Sequence, residues 1–552
     1  MPFAVGQARP LRWLVVAPFS ATPSGRVTAA SGERFATLMS RVAPQATVEI
    51  PDGLGGAATR SFTLEFKRPR DFRLSEVIKQ VEVLNRLSEI AEGLRRKPDV
   101  DAAVAAVRKA LGDGALVEAI DQVQAGAASP SPEVAAQAQP AAPTAPAPAP
   151  DPAATEQSKG SALDAIFAKA DVAAPEPADP IAAAKSGLDA FIGAVRSESG
   201  SKTRVSTSSK SEAATVAQLI RHAVEGTALD LLAAPTVATL EASWRGFRAV
   251  VSASPGADDL SLDLMDSDAE HMVEQLGHRL DVDPMDRPDA VFVATPVANV
   301  ATLQALAELG ERSSVPVVVE VPPAVTGAVL EDGEDPPEAP ELWVGLREQP
   351  STRWLCVTTN AIVLANEEVG PIHRIVLGSP TWGVAAMVSA SVGQTGGPGQ
   401  IFGRAGALVG PASYALDDGN SIATERLASV DQQRTLADRG VLVLGSERGS
   451  DRLRLSAAPT SHPGADELQL PGRILAGRAA RFAQAVREEL PPHATSREVA
   501  ARLDEAATNF LPRSPRGAVS LQVRTDDAGK LQVDASIGAA LAGASFTFSS
   551  DV

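Results

Sequence analysis

Thiol and phenol groups are almost missing from this sequence, which holds one cysteine and one tyrosine in 552 residues, with five tryptophans and six histidines. A lone cysteine, Cys356, excludes an intramolecular disulfide and a cysteine-based zinc cluster, and fits a reducing cytoplasm. Long apolar runs are missing too: nothing approaches the ~20 consecutive apolar residues of a membrane helix. The opening "RPLRWLVVAPF" mimics a weak signal peptide, but its apolar run is short, Pro18 interrupts it and folded-looking sequence follows, so it reads as a buried strand. Basic charge is in deficit. With 68 acidic against 50 basic residues and a net charge of -18, nucleic acid and anionic membranes are poor candidates for the main partner.

The usual signs of chemistry are equally scarce. The six histidines form no His-x-x-x-His or His-Glu-x-x-His pair, so no metal site is expected; His271 and His278 read as structural or solvated residues of one helix. "GQTGGPGQ" (Gly393–Gln400) is rich in glycine, but no Gly-Lys-Ser/Thr follows, and Pro398 lacks an N–H that a phosphate cradle would use. It reads as a loop or tight turn, as does "GLGG" at Gly53–Gly56. No Gly-x-Ser-x-Gly nominates a nucleophile, and Cys356 lies in the apolar "WLCVTT", where a buried, inert thiol is the expectation. No cofactor is expected, and an α/β hydrolase-type enzyme is the weaker alternative.

What is present is an orderly alternation of apolar periods. Residues 1–124 read as a small domain: strands at Trp13–Phe19, Ala46–Ile50 and Ser61–Phe66, a helix near Glu33–Arg41, then a long helix in which Leu74, Val77, Ile78, Val81, Leu84, Leu87, Ala91 and Leu94 recur at three and four. Helices at Val100–Leu111 and Ala115–Val123 close the block. Residues 125–160 carry eight prolines among alanines and read as a linker, about 30–35 Å long as a coil and about 110 Å if extended. Residues 161–214 hold short helices and a polar break. From 215 to 552 helices and strands alternate: helices at Val216–Glu225, Val237–Val251, Asp268–Leu280 and Val300–Leu309, with strands at Leu260–Met265, Ala290–Ala294, Pro316–Val321 and Trp354–Thr358. That order predicts an α/β fold with a helix-covered sheet. At the end, Leu521–Arg524 and Leu531–Ile537 flank "TDDAGK" as a β-hairpin, and "ASFTFSS" offers one more strand.

One stretch concentrates the scarce aromatics. In "LEASWRGFRAVV" the helical period puts Val237, Leu240, Trp244, Phe247 and Val251 on one face, with Glu241, Arg245 and Arg248 beside it. The face reads as core. Arg245 is placed for an ion pair with Glu241 one turn back or, in a sharper reading, with an acidic residue of the first domain.

This stretch resembles the "LE-x-x-WRGL" signature of the large subunit (TssC) of the type VI secretion contractile sheath. Other segments follow in the same order: "SPTWGVAAMVSASVGQTG", "ATERLASVDQQRTLADRGVLVLGSERGSDRLRLSAA", and "LPGRILAGRAARFAQAVREEL", which is similar to "LP…R-x-AH" with Arg478 and Ala480 matching and Arg481 in place of the histidine. "LRWLVVAPFS", "RFATLMSRVAPQATVEIPD" and above all "LEFKRPRDFRLSEVIKQVEVL" resemble the small subunit (TssB). The resemblance covers most of residues 11–124 and 161–550 and implies a small and a large subunit fused in one chain: two units with helix-covered sheets, a Pro/Ala-rich linker and a C-terminal hairpin for strand exchange. The chain departs from the family in a shorter large-subunit half, compressed between Val321 and Trp354, and in having only ten residues before Leu11.

The implied function is mechanical: a protomer that polymerises helically around an inner tube and contracts to drive it outward. A non-contracting scaffold or a baseplate-associated relative is the main alternative. Implied partners are further copies of the chain, the tube protein, a baseplate and a sheath-disassembling AAA+ ATPase. Expected interface residues are Val77, Val81, Leu84 and Leu87 on the long helix, Trp244, Arg245 and Phe247, and Phe546 and Phe548 of the last strand. Leu163, Ile166, Phe167 and Ala170 form a stripe on a short helix after the linker, expected either to be bound by the ATPase or to cap the sheet.

Overall fold

The computed structural model describes residues 9–31, 34–55, 59–125, 208–330, 337–369, 372–464, 468–491, 494–495, 497–502, 518–525 and 531–551. The chain divides into two compact units: Met1–Val48, Phe62–Gln80 and Asp230–Val552 in one, Glu49–Ser61 and Val81–Leu229 in the other. The segment expected to form the first domain therefore contributes to both.

The larger unit is built on a seven-stranded sheet. Its strands are β1 (Leu11–Ala17), β2 (Val27–Ala29), β5 (Leu260–Asp266), β6 (Ala290–Val293), β7 (Val317–Glu320), β8 (Leu355–Thr359) and Val441–Val443. Between them in sequence lie β3 (Gln45–Pro51) and β4 (Thr59–Glu65), paired with each other. The order across the sheet is Val441–Val443, β8, β7, β6, β1, β5, β2, parallel throughout except for the antiparallel β2 at the edge. Thus β1 lies between two strands drawn from far along the chain: Leu11 to Ala17 pair with Leu260 to Asp266, and Trp13 to Val16 with Ala290 to Val293. An internal parallel strand is covered on both faces, which is why "WLVVA" is a continuous apolar run and not an alternating one. Leu14 and Val16 enter a core with Leu276, Leu306, Val317, Val319, Trp343 and Val357. Trp13, in the alternate register, faces the other side, where its Nε1 donates to Ser389 Oγ at 3.1 Å.

That second face is covered by the helices Pro235–Ala253 and Pro380–Thr395, which pack on one another. The second of these is buried nearly all round, as its polar-poor sequence requires. A small antiparallel hairpin, β9 (Ile362–Val369) with β10 (Ile372–Gly378), lies against the first. The helix Leu470–Glu489 packs against a three-stranded antiparallel sheet in which Leu531–Ile537 is the centre, Val519–Thr525 one edge and Phe546–Asp551 the other.

In the smaller unit, Glu82–Arg96 packs on Val100–Leu111, and that helix on Ala115–Gln124. Here one expectation needs correction. The apolar period from Leu74 to Leu94 is carried by two helices, Leu74–Gln80 and Glu82–Arg96, because Val81 is extended (φ -90°, ψ 107°) and starts the second one. A β-branched residue gives up little by leaving the helical region. The apolar stripe survives the break, with Leu74, Val77, Val81, Leu84, Leu87, Ala91 and Leu94 all buried. The helix expected at Val216–Glu225 is longer, Ser208–Ala233, and the one expected from Asp268 starts at Met272, since the Asp268 carboxylate accepts from the His271 N–H and caps the turn before it.

Candidate functional site

The features that stand out chemically lie where residues 9–35 enter the larger unit. Inserting a strand into a sheet satisfies its interior N–H and C=O groups but leaves those at its two ends, and buried backbone groups must find partners. Both ends of β1 are met by a buried carboxylate. Asp266, at the end of the neighbouring β5, accepts from the N–H groups of Phe19 (2.7 Å) and Ser20 (3.0 Å) and from the Ser20 hydroxyl (2.6 Å). At the other end Asp289, just before β6, accepts from the Arg12 N–H at 2.9 Å.

Asp289 is 2% exposed and also holds two guanidinium groups, Arg478 Nη1 at 2.6 Å and Arg481 Nη2 at 2.5 Å. Arg478 and Arg481 come from one turn of Leu470–Glu489 and extend the anchoring to the backbone. Arg478 donates to the Arg9 carbonyl at 2.8 Å, and Arg481 to the carbonyls of Pro288 (2.9 Å) and Ser314 (3.0 Å). Burial, helped by the neighbouring charges of Arg478 and Arg287 and opposed by Asp289, pushes the Arg481 pKa down to about 10. It stays charged at neutral pH. So the arginine standing where the resemblance places a histidine gives this helix a second permanent cation beside Asp289.

The apolar part of the junction is the aromatic face expected from the sequence. Phe19, from the first segment, meets Trp244 edge-on at 5.2 Å between ring centroids, Phe247 at 5.5 Å and Trp382 at 6.3 Å; Phe35 adds a contact to Trp244 at 5.9 Å. Edge-to-face pairs of this kind add about 0.5–1.5 kcal/mol each beyond their buried area. Trp244 also donates from Nε1 to the Phe19 carbonyl at 3.0 Å. The glycine of "WRGF" has its reason here: a Cβ on Gly246 would lie 2.4 Å from the Trp382 indole. Val250, not Val251, completes the buried face.

Arg245, on the flank of that helix, belongs to a network of four charges. Its Nε donates to Glu241 Oε1 at 2.8 Å and its Nη2 to Glu367 Oε1 at 2.5 Å. Glu241, fully buried, accepts two bonds from Arg374, which also reaches Glu367 at 3.4 Å. The acidic partner expected from the first domain is therefore replaced by Glu367 of the β9–β10 hairpin. Burial works against the Arg374 charge, but the hydrogen bonds and charges of Glu241 and Glu367 outweigh it and hold its pKa above the usual guanidinium value.

The other expected site residues do not gather here. Val77 is buried at the middle of the Leu74–Gln80 helix in the larger unit, whereas Val81, Leu84 and Leu87 are buried in the smaller one. Phe546 is half-buried, and Phe548 lies on the same edge strand, in register with Ala535. Leu163, Ile166, Phe167 and Ala170 lie outside the described residues. The glycine-rich loop is explained by backbone contact: a Cβ on Gly399 would lie 2.2 Å from the Gly543 nitrogen and 2.6 Å from the Leu541 carbonyl oxygen. Sequence reading missed Asp266, Asp289, Glu367 and Arg374. The available signal was the pair Arg478 and Arg481, three apart in the otherwise apolar stretch "ILAGRAARFA", which calls for a buried carboxylate somewhere in the fold.

Among the described residues no group of three or more His, Cys, Asp or Glu side chains is placed to hold a metal ion, and no helix is long and apolar enough to cross a membrane. The Cys356 thiol is buried in β8.

No protein-family model and no curated protein matches the chain. Among solved structures it is similar to the helical sheath of the anti-feeding prophage in its contracted state, at 14% identity and a TM-score of 0.33, covering 53% of this chain and 77% of that one. The sheath complex of an extracellular contractile injection system, PVC, in the contracted state gives 14% identity and a TM-score of 0.33, with 56% and 80% covered. A sheath tail protein from Listeria innocua gives 13% and 0.30, with 51% and 60% covered.

Proposed function

We propose that this chain is a structural subunit of a contractile sheath, with segments like the small and the large subunit of the type VI secretion sheath fused into one protomer. The observation that carries the reading is the position of β1. The segment resembling the small subunit supplies an internal strand, flanked on both sides by strands of the segment resembling the large subunit. Two polypeptides sharing a sheet in this way must be present one to one, and covalent fusion guarantees that ratio. The ordered set of motif resemblances on both sides of residues 125–160 supports the same conclusion. In this reading the protein assembles helically with further copies around an inner tube, on a baseplate, and does mechanical work without covalent chemistry. The last strand, Phe546–Asp551, sits at the edge of its sheet and is the element offered for pairing between protomers, with Phe546 and Phe548 on it. The stripe Leu163, Ile166, Phe167 and Ala170 is the handle for a disassembling ATPase.

The test is assembly. Purified full-length protein, examined by negative-stain microscopy and sedimentation velocity alone and with its candidate tube protein, should form hollow cylinders. A chain that remains monomeric at high concentration in both conditions overturns the reading, and rings or caps that never elongate would favour a baseplate-associated role.

A further inference from the structure

A cleft of about 230 Å³ opens beside the N-terminal end of β1, lined by Arg9, Arg12, Arg287 and Arg478 together with Asp286 and Asp289. With Arg481, which shares Asp289, and Arg279, which donates to the Asp286 carbonyl at 3.5 Å and pairs with Asp263 at 3.7 Å, six guanidinium groups gather around three carboxylates in a chain whose net charge is -18. One of those carboxylates is already spent, since Asp289 is buried between Arg478 and Arg481. Of the other two, Asp263 is paired with Arg279, and Asp286 is an exposed residue that Arg9 meets at 3.3 Å. The cations are held in place by backbone carbonyls: Arg12 donates to Asp286 O at 2.7 Å, and Arg287 to Val282 O at 3.0 Å and Ser313 O at 3.4 Å. They are therefore presented to the cleft as fixed, like-charged neighbours. An anion seated between them would offset their mutual repulsion, and planar guanidinium forks match a tetrahedral oxyanion.

We infer that this cleft is a binding site for a dianionic oxyanion of the phosphate type, either free phosphate or the phosphate group of a small molecule. The site has room for more than one phosphate group, and its occupation would tie the Arg9–Arg12 entry of β1 to the Met285–Arg287 turn.

Isothermal titration calorimetry of the full-length protein with inorganic phosphate and with pyrophosphate, at ionic strength held constant by chloride, tests the assignment. Saturable binding is expected, with Arg287→Gln weakening it about tenfold or more. Asp286→Asn removes an exposed carboxylate that competes with the ligand, so it should tighten binding about three- to tenfold. This second variant keeps the test informative if Arg287→Gln perturbs folding. Tighter binding of pyrophosphate than phosphate assigns the site to a phosphorylated small molecule, and equal affinity to the free ion. Absence of saturable binding of either anion overturns the inference, as does unchanged or weaker affinity in Asp286→Asn. If Arg287→Gln instead alters self-association while neither anion binds, the cleft belongs to an acidic side chain of a second copy, and the phosphate assignment falls.

Discussion

At the scale of single residues, the junction depends on how little space and how little charge it leaves over. Gly246 has the Trp382 ring where a methyl group would be, and the ring is itself packed against Phe19 and Phe247. Gly246→Ala should therefore destabilise the protein by about 1–3 kcal/mol despite its gain in helix propensity, read as a lower urea midpoint at unchanged slope. Glu320, at the end of β7, gives a pH signature. Burial, the largest cause, raises its carboxyl from 4.5 to about 7; the nearby charge of Glu425 adds to this and the Ser379 hydroxyl opposes it. The folded state thus keeps a proton that the unfolded chain has already lost between those values. Stability should fall as pH rises from 4.5 to about 7 and then level off, as far as this group is concerned. Glu320→Gln should flatten that part of the profile, and chemical denaturation across the pH range measures it.

At the scale of elements, β1 is the piece on which the larger unit turns. Its two flanking ladders, the Asp266 and Asp289 carboxylates at its ends and the Trp244, Phe247 and Trp382 rings that receive Phe19 past its C-terminus all come from residues beyond 240. Removing a buried partner from an ion cluster costs more than the pair is worth, because the remaining charge stays buried. Asp289→Asn should cost about 3–5 kcal/mol, by leaving Arg478 and Arg481 facing a neutral amide. In native-state hydrogen exchange the amides of Leu11–Val15 should lose protection first. The break at Val81 shows the opposite behaviour of an element: the apolar stripe persists while the helix carrying it does not.

At the scale of the whole molecule, the link between residues 125 and 208 is not what keeps the two chain segments together in the larger unit. Sheet hydrogen bonds and the aromatic cluster do that. Cutting the chain at a protease site engineered within residues 125–160 should leave the fragments co-eluting on size exclusion under native conditions and separating only in denaturant. The fragment of residues 1–124 expressed alone should be insoluble or unfolded, since β1 would present two unpaired edges.

Much of this protein was decided by local sequence. The apolar run of β1, the 3.6-residue stripe of Pro235–Ala253 and the two helices Val100–Leu111 and Ala115–Gln124 follow from periodicity alone, and their bounds agree with the sequence expectation to within a few residues, whereas the stripe from Leu74 to Leu94 was legible but its break at Val81 was not. The candidate site was half legible: Trp244, Phe247 and the ion pair of Arg245 with Glu241 could be read from one helical turn to the next. Tertiary structure alone decided which strands flank β1, because parallel pairing joins residues hundreds of positions apart and no local pattern encodes the choice. The same holds for the buried carboxylates. Asp266, Asp289 and Glu367 look like ordinary surface residues in the sequence, and only the fold brings to each the N–H groups or guanidinium groups that make burying a charge tolerable.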